Sequence, residues 1–173
     1  MVTLLRRFFV VIALMFWQGG FTFYASVVVP VGQKELGHFG QGLITRHVTH
    51  YLNLAGAAAL LLLAWDIVEA RDRSGWRSSC RWFTWAGMLG TLGALVWLHP
   101  HLDRLLNIDA AEFIDGGARA FRSRHRLYLW LSSIQWAFSV GYVALALQTW
   151  QAEDRAGGNR ATDLTVKPVS END

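Results

Sequence analysis

His47 and His50 stand three residues apart in Arg46-His47-Val48-Thr49-His50-Tyr51-Leu52-Asn53, where a polar stretch gives way to the apolar run 54–65. On a helix that spacing puts both imidazoles on one face. His99, His101 and His125 also fall at the edges of apolar runs. Two neutral imidazoles from different helices can serve as axial ligands to a haem iron, and three can hold copper or zinc. Asp103 and Asp115 would complete a divalent site or orient the rings. These five histidines are the candidate metal or haem ligands. No ligand motif of diagnostic spacing accompanies them, and interfacial histidines also occur simply hydrogen-bonded or solvated.

The elements that must position them are membrane helices. Of 173 residues, 53% are hydrophobic and 17% charged, a low charge content for a soluble domain. The charges are clustered as well. Residues 8–33, 47–65, 82–102 and 127–152 carry none. Each gap reaches or approaches the ~20 apolar residues that cross a bilayer core. The expected fold is all-α, an integral membrane bundle of four transmembrane helices, up-down-up-down, over about 8–29, 46–70, 82–98 and 125–150. Tyr51, Trp65, Trp82, Trp97, Tyr128 and Trp150 lie near the ends of these runs, as interfacial aromatics do.

In chain order, 8–29 reads as a retained helix ending near Pro30, since Phe23 and Ala25 fit a cleavage site poorly. Gln18, Thr22 and Ser26 make one polar stripe on it, expected to face the bundle interior. A glycine-rich loop is expected over 31–45. Ala55-Gly56-Ala57-Ala58-Ala59 suits close packing within the second helix, and Asp66 and Glu69 at its far end are expected to pair at the interface near Arg71 and Arg73. An arginine-bearing loop, 71–81, precedes the third helix. Gly87, Gly90 and Ala94 give that helix a small-residue groove, and Pro100 should stop it at His99. Asp109-Ala110-Ala111-Glu112 resembles a short helix start. On the fourth helix His125, Tyr128, Ser132, Gln135, Ser139 and Tyr142 form a polar stripe that should not face lipid. Residues 151–173 read as a disordered polar tail.

Four spans put both termini on one side, and parity then assigns His38, His47, His50, His99, His101 and His125 to the opposite side. Lys and Arg are nearly balanced between the two sides, so the orientation rests on Arg6-Arg7 ahead of the first helix. That favours cytoplasmic termini and histidines facing outward, into a periplasm where there is one. A single cysteine, Cys80, excludes an internal disulfide. The net charge of +3 comes with arginine-rich loops suited to anionic headgroups. No basic–aromatic motif argues for nucleic acid.

Phe16-Trp17-Gln18-Gly19-Gly20-Phe21-Thr22-Phe23-Tyr24, followed by Val28-Val29-Pro30-Val31, resembles the first helix of the four-helix membrane proteins of the DUF4149, or TMEM205-like, family. Phe121-Arg122-Ser123-Arg124-His125-Arg126-Leu127 is similar to the start of that family's last helix. The resemblance covers most of residues 8–150. It departs at Val31-Gly32, where the family often has a Leu-Phe pair, and at the His47/His50 pair. It implies an integral four-helix membrane protein and says little about a reaction.

The expected function is that of a structural or accessory membrane subunit, set against the bilayer and against either a second copy or another membrane protein. The alternatives are a metal- or haem-binding protein built on the histidines and a small proton-linked carrier lined by Gln18, Thr22, Ser26, Ser132, Gln135 and Ser139. No nucleophile triad, phosphate loop or paired carboxylates point to an enzyme.

Overall fold

The computed structural model describes residues 1–70, 74–103, 106–107, 112–113 and 117–165; of these, the side chains of 38, 102–122, 124, 125 and 157–165 are outside the description. The described chain is helical, with four long helices: α1, Val2–Gly37; α2, Phe39–Glu69; α3, Gly75–Asp103; and α4, Gly117–Thr165. Three stretches are long and apolar enough to cross a membrane: α1, α2 and the Arg126–Ala156 part of α4.

The helices outrun the uncharged gaps at nearly every end. Helix α1 passes through Pro30, where a stop was expected, and breaks at Gly37 instead. Proline lacks an N–H and its ring crowds the carbonyl four residues back. A π-turn over Tyr24–Val28 precedes it, with the Val29 N–H bonded five residues back to the Tyr24 carbonyl, and this wider turn relieves the crowding. A second π-turn covers Met15–Gly19. Gly37 has φ 72° and ψ 175°, a conformation essentially confined to glycine. The expected loop over 31–45 is thus helix on both sides of one glycine hinge.

Helix α3 begins at Gly75, so Arg77 and Arg81 lie on a helix rather than in a loop. It continues through Pro100 to Asp103. Beyond it, Glu112–Phe113 pairs antiparallel with Leu106–Asn107, where a short helix start had been expected. Asp109, Ala110 and Ala111 lie outside the described residues. Helix α4 runs on to Thr165, well past the expected end at Trp150. Residues 166–173 lie outside the description.

Neighbouring helices pass each other in opposite directions. Between α1 and α2, Arg6 meets Asp66, Trp17 lies over Gly56 and Gly20 approaches Leu52. Between α2 and α3, Asp66 meets Arg81, and the Trp85 indole donates to the Leu60 carbonyl at 2.9 Å. Between α3 and α4, Arg81 meets Tyr142 and Gly87 lies under Phe138. The core joins Val10 and Trp17 of α1, Ala59, Leu60, Leu63 and Ile67 of α2, Met88 and Leu92 of α3, and Tyr142 and Ala146 of α4.

Small residues set the approach distances. A methyl group on Gly56 would come within 2.7 Å of the Trp17 indole, and one on Gly87 within 2.6 Å of the Phe138 ring. Gly56 in the alanine–glycine run of α2 and Gly87 on the small-residue face of α3 therefore serve close packing inside this chain. Gly90, by contrast, meets no neighbour within 4 Å.

Candidate functional site

The most concentrated chemistry lies at the end of the bundle where α1 begins, α2 ends, α3 begins and α4 leaves the core. Asp66 is at its centre, with 0% exposure. Its Oδ2 accepts from a guanidinium nitrogen of Arg81, itself 1% exposed, and lies 3.1 Å from the Tyr142 hydroxyl. Its Oδ1 accepts from the Trp150 indole at 3.2 Å and lies 3.0 Å from Arg6 Nε. The Arg6 approach is close but poorly aligned for a hydrogen bond, so that contact is electrostatic. One carboxylate of α2 thus touches side chains from each of the other three helices.

The outer half of the network ties α1 to α4. Arg6 donates to Glu153 Oε2 at 2.7 Å, and Arg7 donates to the same oxygen and to the Trp150 carbonyl, both at 3.0 Å. Arg7 also pairs with Asp154 at 2.9 Å and stacks over the Trp150 ring at 5.6 Å. Three guanidiniums, of Arg6, Arg7 and Arg81, face three carboxylates, of Asp66, Glu153 and Asp154. The formal charges cancel; Arg6, Asp66 and Arg81 are enclosed, while Asp154 stays exposed at the outer edge.

Tyr142 is the polar hinge of the network. Its hydroxyl accepts from Arg81 at 3.1 Å and has one proton for two acceptors, the Leu63 carbonyl at 3.0 Å and Asp66 Oδ2 at 3.1 Å. Arg81 also lies over the Tyr142 ring at 5.4 Å. Within this network Arg6 Nε, Arg7 Nε and Arg81 Nε are buried without a hydrogen-bond partner.

Asp66 had been expected at an interface beside Arg71 and Arg73, and the structure corrects this: it is enclosed, with Arg6 and Arg81 as its partners. Arg71 and Arg73 lie outside the described residues. The network was missed because its members are far apart in the chain and each looked like an ordinary helix-end charge. The signal available was the antiparallel order expected of four consecutive helices, which brings Arg6, Asp66, Arg81 and Glu153 to one end of the bundle.

The histidines are placed differently. His47 and His50 are both exposed on α2. Thr49 between them is buried, while the histidine positions on either side of it turn outward. The His50 ring lies edge-on to Tyr51. His99 and His101 are half-buried near the end of α3, and His101 sits 2.9 Å from the Trp97 carbonyl with its ring 4.5 Å from the Trp97 ring. The side chains of His38, His125 and Asp103 lie outside the description, as does Asp115. Among the described residues no group of three or more His, Cys, Asp or Glu side chains converges as a metal site would require.

The two polar stripes part company. Ser132, Gln135, Ser139 and Tyr142 are buried, with Gln135 Nε2 at 3.5 Å from the Met88 carbonyl of α3, so this stripe faces protein as expected. Thr22 and Ser26 of α1 are exposed, against expectation. Their hydroxyls donate to the carbonyls of Gln18 and Thr22 at 2.8 and 2.7 Å, which satisfies them without a partner helix. With Phe21, Ala25, Ser133 and Trp136 they line an open groove of about 380 Å³ between α1 and α4.

At the other end of α1, Tyr24, Gln41 and Thr45 form a smaller buried cluster. Tyr24 donates to Thr45 Oγ1 at 2.9 Å and accepts from Gln41 Nε2 at 3.0 Å. The Gln41 amide presses on Gly32, where any side chain would collide with it.

Comparison of the chain with protein-family models, with curated protein sequences and with solved structures gives no match.

Proposed function

We propose that the chain is an integral membrane protein whose four helices cross the bilayer up-down-up-down, with both termini on one side, and that it serves as a structural or accessory membrane subunit. The observation that carries this reading is the enclosure of Asp66. A carboxylate with 0% exposure, engaged from all three neighbouring helices, holds the bundle in one arrangement. The outer surface supports the membrane setting: Phe8, Phe16, Leu61, Phe83 and Trp130 are all exposed. In water such a surface is an aggregation liability, whereas lipid covers it at no cost. The termini are assigned to the cytoplasmic side, on the weight of Arg6 and Arg7 ahead of the first apolar run.

The test is native electrophoresis of the chain extracted from its own membranes in mild detergent, followed by identification of what migrates with it. A subunit travels in a complex well above its own 19.5 kDa, with either further copies or a second membrane protein. Migration as a lone chain in a micelle under all extraction conditions overturns the subunit role.

A further inference from the structure

Helices α1 and α4 are clasped at the terminal end of the bundle, where Arg6 and Arg7 hold Glu153, Asp154 and the Trp150 carbonyl. Further along they part, and the open groove of about 380 Å³ lies between them. Phe21 and Trp136 give it aromatic walls. Its hydroxyls are already bonded: Thr22, Ser26 and Ser133 donate to the carbonyls of Gln18, Thr22 and Leu129 at 2.8, 2.7 and 2.9 Å. The groove therefore makes no demand for a polar occupant. A helix about 10 Å across would occupy on the order of 600 Å³ over the ~8 Å of α1 that lines the groove, so another helix is too thick for it. A single hydrocarbon chain is not.

Both walls lead outward to a cation. On α4, Arg126 lies seven residues before Ser133, which places it two turns above the groove on the same face. On α1, Lys34 follows Thr22 by twelve residues, and the π-turn over Tyr24–Val28 takes up one of them, so Lys34 stands three turns above Thr22 on the groove side. Glu35, the neighbouring acid, sits about 100° further round the helix. Lys34 and Arg126 are both exposed, and among the described residues neither makes an ion pair. The contact of Arg6 with Glu153 sets the register of the two helices. Counted from it, Lys34 and Arg126 fall at one level, about 40 Å away, which is the separation of the two headgroup regions of a bilayer.

We propose that the groove between α1 and α4 holds one acyl chain of an anionic phospholipid in the leaflet on the histidine side, with its phosphate between Lys34 and Arg126. The proposal rests on the reading that α1 and α4 cross the membrane. The chain fills an apolar slot, and two cations from different helices meet the negative charge at the depth where a phosphate lies. The lipid then closes the bundle at the end where α1 and α4 are not clasped.

The experiment titrates the full chain, purified in mild detergent, with phosphatidylglycerol and with phosphatidylcholine of the same chain length, and reads bound lipid by native mass spectrometry. The expected result is one phosphatidylglycerol held in preference to phosphatidylcholine. Lys34→Gln and Arg126→Gln change exposed groups, and each weakens phosphatidylglycerol binding by about fivefold, the scale of one basic group at an anionic lipid surface. Neither changes phosphatidylcholine binding. Ser133→Trp fills the groove and weakens both lipids. An unchanged preference in the Lys34→Gln/Arg126→Gln double variant overturns the proposal. Glycerophosphoglycerol, the headgroup without chains, binding as tightly as the whole lipid also overturns it, because the site is then one for phosphate alone. So does Ser133→Trp breaking an oligomer while lipid binding stays the same, which gives the groove to a second copy. Release of the chain from its membranes by alkaline carbonate is a separate result: it removes the membrane reading, and the proposal falls with it.

Discussion

The Trp150 indole donates to Asp66 Oδ1 at 3.2 Å, across 84 residues of chain. This contact joins the end of α2 to the point where α4 leaves the core. With Arg6 at the same oxygen and Arg81 at the other, it makes Asp66 the common anchor of four helices.

Removing that anchor strands two buried guanidiniums. Asp66→Ala is expected to destabilise the purified protein by about 3–5 kcal/mol, the usual cost of breaking a buried ion pair from one side. Thermal unfolding in a fixed detergent measures it. Asp154→Ala provides the contrast: this side chain is 65% exposed, its pair with Arg7 is open to solvent screening, and the expected loss is under ~1 kcal/mol. Equal effects at the two positions would contradict the burial argument.

Tyr142→Phe removes one hydroxyl and nothing else in volume. The Arg81 guanidinium loses an acceptor, and the Leu63 carbonyl loses a donor. The expected loss is about 1–3 kcal/mol, from polar groups left unsatisfied. A measured change within ~0.3 kcal/mol would mean that the hydroxyl is not part of the network's energetics.

Two glycines on the packed faces should separate cleanly from one on an open face. Gly56→Val and Gly87→Val drive a side chain into Trp17 and Phe138, and each is expected to cost about 1–3 kcal/mol or more by overpacking. Gly90→Ala meets open space and is expected to be neutral or to stabilise by up to about 1 kcal/mol, from the better helix propensity of alanine. The same thermal assay reads all three.

His47→Ala/His50→Ala changes two exposed side chains. Stability is expected to stay within about 0.5 kcal/mol of the parent, as for ordinary surface substitutions. Absorption spectra and elemental analysis for iron, copper and zinc should be the same for parent and variant. Loss of a stoichiometric metal or of a haem band in the variant would instead restore the histidines as ligands.

Much of the architecture could be read before any coordinates were in hand. Clustered charges separated four uncharged runs, and three of them fall in helices long and apolar enough to cross a membrane. The alternation of Ser132, Gln135, Ser139 and Tyr142 correctly placed a buried face on α4, since a 3.6-residue period ties sequence spacing to one side of a helix. The same logic failed for Thr22 and Ser26. Short hydroxyl side chains can bond their own helix, so a polar stripe made of them carries no obligation to face protein. Pro30 and the glycines around it misled for a similar reason: a π-turn absorbs the proline, and one glycine alone takes the positive φ.

The sequence by itself determined the helical class, the apolar lengths and the face of α4 that turns inward. Those are local properties, set by period and composition. Only the tertiary structure decided which charges are partners. Arg6, Asp66, Arg81 and Glu153 are separated by long stretches of chain, and nothing in their immediate neighbours distinguishes a solvated helix end from a buried ion pair. The direction in which His47 and His50 face was likewise decided by the packed bundle, which buries Thr49 between them and leaves both rings exposed.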